Sequence, residues 1–163
     1  KSRVKGANLE RDIFDVLSSW WVGREDVLRR VPMSGGWDQG MGDVMVPPDL
    51  IGKVREWPFY VECRNREGWC LEDIFTQKAH IKDWWVETVA KAGVKGKVPL
   101  LVATRNFAPV FVVYDSDAMC CVLGREHLRI LQGHNVLILV AERASVAYYG
   151  MMVEIETFIT TWR

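Results

Sequence analysis

Residues Val98 to Thr104 read Val-Pro-Leu-Leu-Val-Ala-Thr, seven positions without a charged side chain. A strand that is apolar throughout has no face to offer water, so other layers have to cover it above and below. The rest of the chain supplies them. Apolar residues at 9, 13, 16, 17, 20 and 21 follow helical spacing, with Asn8 available as an N-cap and Gly23 as the stop. Residues 71–92 predict a long amphipathic helix, with Leu71, Ile74, Phe75, Ile81, Trp84, Trp85 and Val89 on or near one stripe and Gly93 closing it.

Around these lie shorter strand patterns. Residues 27–31 alternate and lead into a loop at Pro32-Met33-Ser34-Gly35-Gly36. Gly42-Asp43-Val44-Met45-Val46 is a short strand stopped by Pro47-Pro48, and residues 57–63 form a second, more apolar one. Residues 110–114 pair with the run at 98–104 as a hairpin. Further on, 125–131 reads as helix and 136–140 as strand; 152–162 fits helix or strand, with helix preferred. The order is one helix, three strands, a long helix and further strands. It predicts an α/β fold with a central mixed β-sheet flanked by helices. With 163 residues, no linker and no internal repeat, the chain is expected to form a single domain over 1–163.

Composition narrows the functional classes. The 21 basic and 21 acidic residues cancel, so total charge does not announce a nucleic-acid partner, although a neutral sum can hide a basic face beside an acidic site. Lys1, Arg3, Lys5 and Arg11 crowd the start, and Arg29 with Arg30, Arg64 with Arg66, and Lys78 with Lys82 recur near the acids discussed below. Each cluster taken alone fits a solvated surface equally well. Cys63, Cys70, Cys120 and Cys121 lack zinc-knuckle spacing, and His80, His127 and His134 show no ligand spacing with them; reduced thiols in a cytoplasmic setting are the simplest reading. No apolar run reaches the roughly 18 residues of a membrane span, no signal peptide is evident, and the missing initial Met suggests a trimmed start.

Asp43 opens one predicted strand and Glu62 lies near the end of the next. If these strands pair, the carboxylates meet at one edge of the sheet. Hard oxygen ligands at one point suit Mg²⁺, which typically binds through one or two carboxylates, waters and substrate phosphate. Arg64, two residues after Glu62, points to the same face, where it could hold a phosphate or neutralise developing charge. Asp at a strand start and Glu–Arg at i, i+2 are also ordinary surface features. The glycine-rich stretch around Trp37-Asp38-Gln39 lacks the context of a phosphate-binding loop and reads as a mobile cover over substrate or a plain connection, with Asp38 a minor ligand candidate. Trp84 and Trp85 lie about 100° apart on a helix, so one is expected to face the sheet and the other a partner; Trp20-Trp21 is a second candidate patch or core.

Lys5-Gly6-Ala7-Asn8-Leu9-Glu10-Arg11, Pro32-Met33-Ser34-Gly35, Gly42-Asp43-Val44 and Phe59-Tyr60-Val61-Glu62-Cys63-Arg64, in that order, resemble the PD-(D/E)XK nuclease superfamily. Within it the pattern is most similar to archaeal-type and phage Holliday junction resolvases. The resemblance covers residues 5–64, and the helix bearing Gln77 and the strand at 98–104 fit the same order. It implies a restriction-endonuclease-like fold with Glu10, Asp43 and Glu62 as metal-site acids, Ser34 near the scissile phosphate, and Gln77 facing the site. Lys5 and Arg11 would contact the DNA backbone, and Arg30, Arg66, Lys78 and Lys82 are further candidates for it. One position departs from the pattern. The family's lysine is Arg64 here, and a guanidinium binds and stabilises but does not shed a proton. Either Lys78 or Lys82 substitutes from the following helix, or the chain is a weakened or purely binding member.

The resemblance thus implies a structure-selective endonuclease of recombination and repair, hydrolysing phosphodiesters with water activated by Mg²⁺, with Mn²⁺ as a possible substitute. A homodimer would cut opposite strands of a four-way DNA junction. Another DNA nuclease of the superfamily, of restriction or repair type, is the alternative. The expected setting is the cytoplasm of a bacterial, archaeal or phage-infected cell.

Overall fold

The computed structural model describes residues 2–31, 42–75, 80–105, 108–124 and 137–163, with the side chains of 2–10 and 73 outside the description. Helix α1 (Ser2–Val22) comes first, then strands β1 (Arg29–Arg30) and β2 (Val44–Met45), which pair antiparallel as a small separate ribbon. Next are β3 (Phe59–Asn65), a 3-10 turn at Leu71–Phe75, α2 (His80–Val94), β4 (Val98–Thr104) and β5 (Phe111–Tyr114). Helix α3 (Ser116–Leu123), β6 (Leu137–Arg143), β7 (Val146–Glu154) and α4 (Ile155–Thr161) complete the described chain.

The main sheet has the order β3-β4-β5-β7-β6. Strands β3 and β4 are parallel, joined through α2 across one face, and the remaining pairs are antiparallel. This is the expected mixed sheet flanked by helices. As the uninterrupted apolar run requires, β4 is interior to it: Leu100 and Val102 pack with α1, α3 and α4, while Leu101 and Ala103 pack with α2. Ile13, Phe14, Leu17 and Trp21 of α1 lie with Met119, Phe158 and Trp162 in the first layer, and Ile81 and Trp85 anchor the second.

Several local expectations are corrected. Asn8 sits inside α1 rather than capping it; nothing in residues 2–7 breaks a helix, and a single glycine costs only about 1 kcal/mol. Residues 71–92 are not one α-helix. Leu71–Phe75 is a 3-10 turn, whose tighter winding keeps Ile74 buried and leaves Phe75 exposed, off the stripe predicted for it. Helix α2 passes through Gly93 to Val94, and the left-handed residue comes later, at Gly96.

The strand predicted over 27–31 shrinks to Arg29–Arg30, both exposed. The predicted 125–131 helix lies outside the described residues, whereas α3 just before it escaped the periodicity reading. Asp115 caps α3 by accepting from the backbone N–H groups of Asp117 (2.9 Å) and Ala118 (3.0 Å), and left-handed Gly124 ends it.

Residues 152–162 proved to be both alternatives, the end of β7 and then α4. The β6–β7 hairpin turns at Ala144 and Ser145, both at positive φ, where glycine or asparagine is the usual signal. Trp21 is core and Trp20 packs against it: their rings meet Phe59 edge-on and tilted, respectively, and the indole N–H groups of Trp20 and Trp21 reach the carbonyls of Trp162 and Glu56. Trp85 is fully buried, while Trp84 packs edge-on against Trp69 of its own chain.

Candidate active site

The site begins with how α1 leads into the first ribbon. The buried Ser18 hydroxyl donates to the Arg24 carbonyl (2.6 Å) and accepts from the N–H groups of Val27 and Leu28. It thereby fixes the course of the chain into β1. The N–H of Val31 then donates to the Asp43 carbonyl (3.0 Å), tying the ribbon to the residue of interest.

Asp43 does not enter the main sheet as a full strand, so the expected pairing of its strand with that of Glu62 is reduced to one bridge. Gly42 pairs with Val61 at the edge of β3, and the Asp43 N–H donates to the Val61 carbonyl (2.7 Å). The Asp43 side chain returns to the same strand: its Oδ2 accepts from the Cys63 N–H (2.7 Å). Asp43 therefore grips β3 on either side of Glu62. The bridge has a steric condition. Gly42 has φ +70°, and a Cβ there would lie 2.5 Å from the Val61 carbonyl oxygen. Only glycine meets both demands.

Along β3 the side chains alternate. Phe59, Val61 and Cys63 join the apolar layer under α1, so Tyr60, Glu62 and Arg64 face α2. Glu62 is 9% exposed and lies among charges. Its Oε1 is 2.7 Å from Arg64 Nη2, and its Oε2 is 3.7 Å from Lys91 Nζ. The same Arg64 nitrogen is 3.6 Å from Glu87 Oε2. Burial pushes the Glu62 carboxyl above its usual range, and the neighbouring Asp43 adds to the rise; the pull of Arg64 and Lys91 does not cancel it. Two carboxylates thus share one sheet edge at a cost that a bound cation would relieve.

Glu87 and Lys91 had no place in the sequence reading. They sit one turn apart on α2, beside the buried positions Trp85, Thr88 and Ala92. The available signal was the βαβ unit itself, because its crossover helix covers one face of β3 and polar residues flanking its buried stripe meet whatever that face carries. The lysine beside the acids is Lys91. Lys82 is nine positions away on the same helix, about 180° around it, and Lys78 lies outside the described residues, as do Ser34, Gln77 and Asp38.

Glu10 and Lys5 belong to α1 by backbone, with their side chains outside the description. Arg11 and Arg30 are exposed and line one pocket of about 420 Å³ together with Arg29, Asp15 and Asp26. Arg66 is exposed just past β3. Arg64, expected to hold a phosphate or neutralise developing charge, lies between two carboxylates, with its Nε buried and unpartnered. None of the four cysteines is in a disulfide. Among the described residues, no helix is long and apolar enough to cross a membrane, and no cluster of three or more His, Cys, Asp or Glu side chains has metal-holding geometry.

No curated protein and no solved structure matches the chain. A family model described as phage putative PDDEXK endonuclease matches residues 1–163. With the match running over its whole length, the chain belongs to this phage PDDEXK endonuclease family.

Proposed function

We propose that the protein is a metal-dependent DNA endonuclease whose site is built on Asp43 and Glu62, and that its substrate is branched DNA of the four-way-junction kind. The observation that carries the first part is the grip of Asp43 on β3 through Val61 and Cys63, which sets its carboxylate beside that of Glu62. The donor set fits a small divalent cation such as Mg²⁺ or Mn²⁺. It offers two hard carboxylates, and water and substrate phosphate would complete the shell. Such an ion, when bound, lowers the pKa of attacking water and offsets charge on the phosphoryl oxygens.

The chain's own residues divide the remaining work. Asp43 and Glu62 hold the ion. Lys91, on rigid α2, takes the place of the family's strand lysine and contributes a mobile positive charge or a proton acceptor near the attacked phosphate. Arg64 balances Glu62 before an ion is bound. Glu10, Ser34 and Gln77 join them on the strength of the sequence resemblance, and Lys5, Arg11, Arg30, Arg66, Lys78 and Lys82 are the candidate contacts to the DNA backbone. Recognition by phosphate position makes binding fall steeply with salt.

The junction preference and a homodimer rest on the resemblance over residues 5–64. A two-fold assembly suits a two-fold-symmetric substrate. The test is cleavage of a mobile four-way junction and of linear duplex with Mg²⁺, by the parent, Asp43→Asn and Glu62→Gln. Symmetric nicking of the junction alone, lost in both variants, is the expected result. Cutting of duplex with equal efficiency points to a restriction- or repair-type nuclease of the same superfamily. A second reading is favoured by the engagement of Arg64 with Glu62 and Glu87: a member that binds DNA and cuts feebly. Junction binding without cleavage in either metal across a broad pH range would establish it.

A further inference from the structure

We propose that Glu87 is a positioning residue that receives the Arg64 guanidinium when Glu62 takes a divalent cation; this rests on the metal-site reading above. Both oxygens of Glu62 face cations, Arg64 Nη2 at 2.7 Å from Oε1 and Lys91 Nζ at 3.7 Å from Oε2. Like charges this close repel strongly even near a protein surface, and a divalent ion doubles the repulsion of a single charge. Arg64 therefore has to leave Glu62 for the ion to be held.

Its destination is already beside it. The nitrogen that contacts Glu62 is 3.6 Å from Glu87 Oε2. A shift of under roughly 1 Å converts that approach into a charge-assisted hydrogen bond. The present seat of the guanidinium is also incomplete, because its Nε is buried without a partner. An unmet donor lowers the cost of leaving. The backbone carrying Glu87 stays in place, since α2 is anchored by fully buried Ile81 and Trp85, the latter donating to the Tyr149 carbonyl (3.1 Å). The side chains of Arg64 and Glu87 move while strand and helix do not.

The assignment separates Glu87 from a mere nearby negative charge. A distant charge would favour cation binding whatever stood at 64; a receiver for Arg64 matters only while Arg64 is present. The experiment is a double-mutant cycle on the full chain, measuring Mn²⁺ affinity by calorimetry without DNA for the parent, Glu87→Gln, Arg64→Gln and the double variant. Glu87→Gln is expected to weaken Mn²⁺ binding on the order of tenfold in the parent, and by less than about twofold in the Arg64→Gln background, with Glu87→Asp recovering much of the loss.

Equal weakening in both backgrounds, or none in the parent, overturns the role of Glu87. Asp43→Asn, run beside the cycle, distinguishes the two levels of failure. Parent binding that Asp43→Asn leaves unchanged, or no parent binding at all, removes the metal-site reading and this proposal with it. Parent binding that Asp43→Asn abolishes but Glu87→Gln does not touch removes this proposal alone. Far-ultraviolet circular dichroism melts establish that each variant is folded.

Discussion

The two faces of β3 are built for opposite purposes over the same seven residues. Under α1, Phe59 meets Trp20, Trp21 and Trp57 at ring separations of 4.9–5.5 Å, and Val61 beside it is fully buried. Under α2, Glu62 and Arg64 break an otherwise apolar layer, and among the described residues the charges near them are each other's, that of Asp43 at the edge, and those of Glu87 and Lys91 from the helix. The first face stabilises the fold without chemistry. The second, the proposed seat of the chemistry, costs stability, because ionised groups held out of water and close to like charges are unfavourable until a counterion arrives.

That contrast can be broken from either side. Asp43→Asn should lower cleavage by about 10³-fold or more, equivalent to roughly 4 kcal/mol of transition-state stabilisation, while thermal stability barely changes. Single-turnover cleavage and a thermal melt on the same preparation check both halves. Phe59→Ala on the opposite face should do the reverse. It should cost about 3–5 kcal/mol of stability in denaturant unfolding, with cleavage at low temperature largely retained by the molecules that remain folded.

Gly42→Ala tests the join between the two. The added Cβ, 2.5 Å from the Val61 carbonyl, has to push the Asp43 bridge away from β3. We expect about a 10²-fold loss of cleavage, since misplacing a reacting group by about 1 Å has that effect. An unchanged rate would show that the bridge does not position Asp43.

The smallest effect concerns Glu62 itself. Burial first, and then Asp43, raise its carboxyl above the ordinary 4.5, so its contribution to stability is present at pH below that value and is lost as pH rises through the folded-state pKa. Glu62→Gln is neutral at every pH. Its Tm should therefore equal or exceed that of the parent near pH 7, with the gap closing as the parent protonates in acid, even though its cleavage is lost. A Tm well below the parent at neutral pH would mean that the pairing with Arg64 and Lys91 outweighs the burial of charge.

Much of the fold was legible where one face or both faces of an element are apolar over several residues. The run at 98–104 demanded an interior strand, and the spacing from Ile13 to Trp21 a helix against a sheet; both follow from period and burial alone. Elements were missed where a local cap or turn decided the outcome. Helix α3 depends on Asp115 accepting from two N–H groups, and the β6–β7 turn uses Ala144 and Ser145 where Asn-Gly would have been read at once. Phe75 was misread for a related reason: a 3-10 turn and an α-helix share a sequence pattern but rotate their side chains differently.

The site divides in the same way. The sequence by itself determined the residue types of the proposed site: a Gly-Asp pair and a Glu-x-Arg strand two residues in period, with an arginine where the resemblance leads one to expect lysine. These are properties of residue type and short spacing, which covalent geometry carries directly into β3. Only the tertiary structure decided that Asp43 reaches Glu62 through a single glycine bridge, that Arg64 is held between two carboxylates, and that the lysine beside the acids is Lys91. The last two depend on where the crossover helix lies over the parallel pair β3 and β4. That placement is set by the packing of Ile81 and Trp85 into the sheet, some twenty residues along the chain from the motif they complete.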